Sequence, residues 1–159
     1  MKKQHYKYLL LIISLTGILP SVCAKERKVH SEIDWSEFMQ KQDMVWETLP
    51  EKWYESVYLG NGMLGLMIYK EPEANYIRFE TGNCAVHDHR ETNDLFGIPR
   101  LLTGHFALHP KGKILNGTMR LDLWNAEASA IIQTTEGEIH LRSIVHASEM
   151  IIIIQLTCK

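Results

Sequence analysis

Short apolar runs of strand-forming residues recur about every ten residues along most of this chain. They span residues 56–59, 63–69, 76–79, 101–108, 119–124, 128–134, 139–145 and 150–156. Several of them alternate apolar with polar residues, and no sustained helical pattern separates them. Such spacing disfavours a parallel α/β sheet and is typical of a sandwich or barrel. We therefore predict a mainly β protein, an antiparallel β-sandwich of seven or eight strands.

The most specific turn signal is Gly60-Asn61-Gly62, which lies between two of these runs. By its letters, the stretch 60–65 also matches the G-x-G-x-x-G of dinucleotide-binding loops. That loop must open a helix, whereas strand formers follow here and Pro72 would stop a helix. We predict a tight β-hairpin turn in which at least one residue has a positive φ.

A helical pattern precedes the strands. Ser31, with Asp34 three residues later, resembles a capping box, and Trp35, Phe38 and Met39 fall on one helical face. We predict a short amphipathic N-terminal helix that ends near Gln42.

The first 24 residues have the order of a secretory signal peptide. Three lysines lie among the first eight residues, an apolar stretch follows from Leu9 to Leu19, and Val22 and Ala24 suit cleavage before Lys25. We predict a signal peptide at 1–24, a linker at 25–34 and one β-sandwich domain at 35–159.

The apolar stretch is too short to cross a bilayer, so we predict no membrane span and export to the periplasm or the extracellular space. Lipoprotein anchoring through Cys23 is less favoured, because Val22 is bulky for the position before a lipidated cysteine. After export, Cys84 and Cys158 lie in an oxidising compartment. Their pairing stays open, and two free buried thiols are the favoured interpretation.

Charge excludes one class of partner. The chain has 17 basic and 19 acidic residues, a formal net charge of −2. A surface without positive charge in excess has no electrostatic reason to bind nucleic acid. We predict no nucleic-acid partner.

Candidate binding residues concentrate in and beside the stretch 81–100. We predict a long loop there, because the stretch is polar, has no sustained period and contains glycine, asparagine, aspartate and proline. Histidine and acidic side chains there suit sugar hydroxyls. The candidates for substrate binding are Glu80, His87, Asp88, His89 and Arg90.

Catalytic, metal and cofactor signatures are weak. No nucleophile motif is present, and paired carboxylates cannot be selected by spacing among Glu47, Glu51, Glu55, Glu80, Asp88 and Asp122. His105 and His109 would lie about 13 Å apart on one strand, too far to share a metal. We predict no metal site and no cofactor.

The four tryptophans allow two interpretations. Trp35, Trp46, Trp53 and Trp124 could form a platform for sugar rings, or they could fill a core or a domain interface. The second interpretation is favoured because tryptophan buries so much apolar area.

Two stretches resemble glycoside hydrolase family 95, which includes α-L-fucosidases and α-L-galactosidases. The more specific stretch comprises Trp46-Glu47-x-Leu49-Pro50, Trp53 and the run Tyr58–Tyr69, with its Gly-Asn-Gly. The weaker one is 120–127 followed by Gly137-Glu138. After the third strand, the sequence keeps Glu80 of the family's L-N-E-x-x-x-W-S-G pattern but lacks its tryptophan, so the subfamily and the sugar stay open.

The resemblance implies an N-terminal β-sandwich domain, here a partial supersandwich, of an enzyme that hydrolyses terminal glycosidic bonds of oligo- or polysaccharides. In that family the catalytic acid and base lie in an (α/α)6 barrel far downstream. We therefore expect no catalytic residue in this chain, the barrel as its partner in cis, and no activity from these residues alone. A free-standing carbohydrate-binding or adhesion module is the alternative.

Overall fold

Two antiparallel β-sheets face each other, and one short helix precedes them. The computed structural model describes residues 33–88 and 100–159, so the predicted signal peptide lies outside the described residues. The elements are α1 (Trp35–Gln40), β1 (Met44–Trp46), a 3-10 helix (Trp53–Glu55), β2 (Val57–Gly60), β3 (Leu64–Lys70), β4 (Ile77–His87), β5 (Arg100–Leu108), β6 (Ile114–Asp122), β7 (Glu127–Thr134), β8 (Gly137–Val145) and β9 (Ile152–Cys158).

The five-stranded sheet has the order β1-β6-β7-β8-β9, and the four-stranded sheet has the order β2-β3-β4-β5. Every neighbouring pair is antiparallel. This architecture confirms the predicted β-sandwich with a short N-terminal helix. The described ranges hold nine strands, more than the seven or eight predicted. The additional strand is β1, which was not predicted because three residues are too few to show an alternation.

The core lies between the two sheets and is built by alternate residues of their strands. Its members are apolar and almost fully buried: Leu49, Val57, Leu59, Leu66, Ile68, Ile77, Phe79, Met119, Leu121, Ala128, Ala130, Ile132, Leu141 and Val145. Each large side chain buried in this way contributes about 1.5–3 kcal/mol. The alternation seen in the sequence therefore determines which face of each strand points inward.

The hairpin prediction is confirmed at Gly60-Asn61-Gly62. β2 and β3 pair up to Gly60 and Gly65, and Gly62 has a φ of +89°. Asn61 Oδ1 accepts hydrogen bonds from the backbone N–H groups of Met63 and Leu64, at 3.0 and 2.8 Å. The glycine and the side-chain acceptor together form the turn.

The predicted loop over 81–100 is wrong in its first part, because β4 continues to His87. Asn83 pairs with Leu64 of β3, and Gly82 pairs with Leu102 of β5. Register shifts follow Thr81 and Gly82. Such irregularities and polar side chains remove the alternation by which a strand is predicted.

The helix begins later than its sequence pattern indicated. Asp34 is its N-cap and accepts a hydrogen bond from the backbone N–H of Glu37 at 3.0 Å, and the helix ends at Gln40. Trp35 and Phe38 touch edge to face but stay half-exposed. Within the described ranges, no helix has the length and apolar character that a membrane span requires.

Cys84 and Cys158, the two cysteines within the described residues, are free thiols in different sheets. Cys84 is half-buried and its Sγ lies 3.1 Å from Met63 Sδ, whereas Cys158 is exposed. The expectation of buried thiols is therefore wrong. Cys158 is exposed because β9 is the outermost strand of its sheet among the described residues.

Candidate functional site

Glu80 lies in the middle of β4 rather than in a loop. Its neighbours Phe79 and Thr81 face the core, so Glu80 points to the outer face of the four-stranded sheet. Its Oε2 accepts hydrogen bonds from the Tyr69 hydroxyl at 2.6 Å and from Arg78 Nε at 3.1 Å. Only 7% of Glu80 is exposed.

Glu80, Tyr69, Arg78 and Glu71 form a cluster whose charges and hydrogen bonds are satisfied within the sheet. Arg78 also donates to Glu71 at 3.0 Å, so one guanidinium joins two carboxylates. Burial, together with the hydrogen bond to Glu80, raises the pKa of Tyr69 well above its ordinary value. Tyr69 therefore remains a protonated donor at neutral pH, and the carboxylate of Glu80 keeps two partners within its own sheet.

Among the described residues, Glu80 lies apart from the other two predicted substrate-binding residues, His87 and Asp88. His87 ends β4 opposite Arg100 of β5, and the buried Asp88 follows directly. His87 lies seven positions after Glu80 along the strand, a span of about 23 Å. His89 and Arg90 lie outside the described residues. A substrate role for any of these five residues stays a prediction.

Three of the other carboxylates from the sequence analysis hold local structure. Glu51 pairs with Lys70 at 2.6 Å, and Glu55 pairs with Lys52 at 3.5 Å. Asp122 accepts hydrogen bonds from the backbone and the side chain of Asn125, and these bonds stabilise the turn between β6 and β7. The same bonds lower the pKa of Asp122.

His105 of β5 and His109, which follows that strand, have different neighbours. The His109 ring packs beside Tyr76 with ring centroids 4.9 Å apart, while His105 pairs in register with Glu80. Within residues 33–88 and 100–159, no three His, Cys, Asp or Glu side chains converge as metal ligands would.

An exposed aromatic surface is the clearest candidate for binding. We define it as Trp53, Tyr54 and Tyr58, whose side chains are 62%, 62% and 57% exposed. Trp46 lies beside them, and its Nε1 donates to the Glu55 carbonyl at 2.8 Å, which holds the 3-10 helix against β1. The surface borders an open cleft of about 670 Å³ lined by Met44, Val45, Trp46, Trp53, Tyr54, Glu55, Ser56, Tyr58 and Met67.

The aromatic surface combines flat rings with charged groups. Trp53 and Tyr54 meet edge to face with centroids 5.5 Å apart, and Lys52 Nζ lies 5.4 Å from the Tyr54 ring centroid. Exposed rings offer apolar faces for stacking, and the tyrosine hydroxyls, Lys52 and Glu55 offer hydrogen bonds. This is the chemistry that a sugar ring or a protein interface requires.

For three of the four tryptophans, the expectation that they fill the core is wrong, whereas their burial in a domain interface stays a prediction. Trp35, Trp53 and Trp124 are half-exposed or more, and Trp46 alone packs against the core. The three exposed rings lie on a helix, a 3-10 helix and a turn, outside the inward-facing strand positions.

Sequence reasoning missed Tyr54 and Tyr58. The available signal was four aromatic residues within 46–58, with Tyr58 between the two apolar residues Val57 and Leu59. Alternation alone places Tyr58 on the outer face of its sheet.

A second cleft, of about 570 Å³, opens between β5 and β9. It is lined by Leu64, Thr81, Asn83, Thr103, Phe106, Met150, Ile152 and Ile154. Side chains of both sheets therefore border this opening at one side of the sandwich.

No protein-family model matches this chain, and no curated protein is significantly similar to it. The likeness to glycoside hydrolase family 95 depends on the residues quoted above.

Proposed function

We propose that this chain is the N-terminal β-sandwich module of an exported glycoside hydrolase that resembles α-L-fucosidases and α-L-galactosidases. The whole enzyme would hydrolyse terminal glycosidic bonds of oligo- or polysaccharides. The observation that carries the proposal is the structural role of the stretch 46–69, which holds the most specific part of the resemblance.

The polar groups of that stretch stabilise the sandwich. The Trp46 indole fixes the 3-10 helix, and Asn61 Nδ2 donates to the carbonyls of His146 and Glu149, at 2.9 and 3.1 Å. Asn61 lies in the four-stranded sheet's first turn, whereas His146 and Glu149 follow β8 of the other sheet. A motif that joins two sheets suits a scaffold module whose catalytic groups lie on another domain.

The test compares the 159-residue chain with the polypeptide that the complete reading frame encodes. Both are assayed on aryl α-L-fucosides, α-L-galactosides and α-glucosides. We expect turnover from the longer polypeptide on one of the first two substrates and none from the chain alone. A longer polypeptide that folds but cleaves none of them, or turnover by the chain alone, would reject the proposal.

The aromatic surface supports a second candidate, a carbohydrate-binding module without catalysis. Trp53, Tyr54 and Tyr58 present exposed rings beside Lys52 and Glu55, as stacking on sugar rings requires. In this case a neutral oligosaccharide should change the tryptophan fluorescence of the chain.

Trp53→Ala should weaken that binding by about tenfold, the equivalent of roughly 1.4 kcal/mol. Trp124→Ala is the matched control, since Trp124 is also half-exposed but lies in the turn after β6. Equal effects of both substitutions, or no binding by the unmodified chain, would contradict the second candidate.

A further inference from the structure

β9 has one edge bonded to β8 and one edge that no described strand covers. Glu138 and Lys159 exchange both backbone hydrogen bonds, at 3.0 and 2.9 Å, and His146 N donates to the Ile151 carbonyl at 2.9 Å. Bonded and non-bonded pairs alternate along an antiparallel ladder. The N–H and C=O groups of Ile152, Ile154 and Leu156 therefore point away from β8.

Inward-facing side chains are exposed at the same side of the sandwich. Phe106 of β5 lies opposite Phe79 in register and shares its inner face, yet Phe106 is 62% exposed and Phe79 3%. Leu156 lies opposite Leu141, and their exposures are 43% and 1%. Apolar residues on the core face of both sheets thus lack a covering layer within the described chain.

The other side of the sandwich is covered. Leu49 is buried in the core, and the carbonyl of the following Pro50 accepts a hydrogen bond from the backbone N–H of Lys70 at 2.8 Å. The segment between β1 and β2 thus packs over the edge that β2 and β3 form. The contrast places the incomplete side at β5 and β9.

β9 carries none of the features that protect the edges of natural sheets. Its residues, Ile152–Cys158, include no charged residue, no proline and no glycine. Edge strands are usually guarded by charges, prolines or bulges, because an unguarded edge pairs with another strand.

We propose that this edge accepts one further β-strand, supplied by the longer polypeptide to which the proposed function assigns this module. The free backbone groups of Ile152, Ile154 and Leu156 recur about every 7 Å, a spacing that an extended backbone matches. The incoming strand places alternate apolar side chains in the cleft against Phe106 and Ile154. Charged side chains are excluded from those positions, because the cleft lining contains no charged residue.

The probe is a labelled peptide of alternating valine and threonine with lysines at both ends, and its control is the same composition in scrambled order. Binding to the purified chain is followed by fluorescence anisotropy and amide hydrogen exchange. We expect the alternating peptide to slow exchange at Ile152, Ile154 and Leu156 by about tenfold or more, as a new hydrogen bond does. Exchange at Ile153 and Gln155, which already bond to β8, should not change.

Ile154→Pro removes a free-edge N–H without removing a bond to β8, and Ile154→Val is its matched control. Should the proline variant fail to fold, Phe106→Asp introduces a charge into the cleft, and Leu115→Asp is the control at an exposed β6 position. We expect Ile154→Pro and Phe106→Asp each to weaken peptide binding by about tenfold or more. Unchanged binding in both would overturn the proposal.

The outcomes separate this inference from the proposed function. Peptide binding together with a longer polypeptide that lacks hydrolase activity rejects the proposed function and retains the strand acceptor. An active longer enzyme whose Ile152, Ile154 and Leu156 amides exchange freely overturns the acceptor. A stable dimer of the chain that protects these amides without peptide would make a second copy the occupant, and it would overturn the assignment to the longer polypeptide.

Discussion

Tyr69 and Arg78 donate hydrogen bonds to the same oxygen of Glu80, which the sequence identified as a candidate for substrate binding. The sequence shows the carboxylate but not its partners, because neighbours across a sheet become apparent only with the strand register. Glu80 lies opposite Met67 of β3, and Tyr69 lies two residues further along that strand. Its location could be predicted to within a strand, and its partners could not.

Tyr69→Phe removes one of these donors and leaves the buried carboxylate with one partner fewer. We expect the free energy of unfolding at neutral pH to fall by about 1.5–3 kcal/mol, the range for hydrogen bonds to charged groups. Urea denaturation of the two proteins measures the difference. A change below about 0.5 kcal/mol would show that the bond contributes little in solution.

The same substitution predicts a pH dependence. The pKa of Tyr69 is raised in the folded protein by burial and by Glu80, whereas in the unfolded chain it is about 10. A group with the higher pKa in the folded state stabilises the fold below its unfolded pKa and loses this contribution as the pH rises. The stability difference between the wild type and Tyr69→Phe should narrow above about pH 10. A constant difference up to pH 11 or so would contradict this linkage.

Asn61 is the residue whose role the sequence identified only in part. Its place in a Gly-Asn-Gly turn was predictable, since Asn and Gly favour tight turns. Its bonds to His146 and Glu149 connect residues more than 80 positions apart, and nothing local in the sequence indicates them.

Asn61→Asp tests this contact between the sheets. The aspartate keeps the acceptor for Met63 and Leu64 but replaces the donor amide by a carboxylate oxygen that faces two carbonyls. We expect a loss of about 1–3 kcal/mol of unfolding free energy, the penalty for unsatisfied polar groups. Asn83→Asp is the control, because Asn83 Oδ1 accepts from Ala85 N and a carboxylate can do the same. Equal stability of the two variants would contradict the assigned role.

The strands differ in how well the sequence alone predicts them. β2 and β3 were predictable because two apolar runs flank a strong turn signal. The second half of β4 was not predictable, because Gly82 and Asn83 have a turn-like composition. Both nevertheless pair with β3, and Gly82 also pairs with β5. β1 was not predictable either, because its position depends on pairing with β6, where Trp46 lies opposite Met119.

Gly117 of β6 allows a test at the scale of the strand. A Cβ at this position would lie 2.5 Å from the carbonyl oxygen of Ile131 and 2.8 Å from Leu49 Cδ2. Gly117→Ala should therefore cost about 1–3 kcal/mol of unfolding free energy through overpacking. Chemical denaturation measures it.

Gly82→Ala is the matched control within the other sheet. A Cβ there meets nothing within 4 Å, so we expect this variant to be neutral or up to about 1 kcal/mol more stable. Equal losses at both positions would mean that the close approach of Leu49 and Ile131 does not limit Gly117.

For the molecule as a whole, the fold class followed from the spacing and alternation of the strands, whereas the exposed surfaces did not. The order of the strands in a sandwich determines which side chains remain exposed. That order joins β1 to β6 and leaves β5 and β9 at the edges. The exposure of Phe106 and Leu156 results from this long-range arrangement, and it is the basis for expecting further partners.

The intact mass of the protein in the exported fraction of its natural host shows whether these residues form the first module of a longer exported enzyme. Cleavage before Lys25 and a chain that continues well beyond Lys159 are the predicted result, since the account assigns these residues to the first module of a longer exported enzyme. A protein that retains Met1, or one whose mass corresponds to an end at Lys159, would contradict the account.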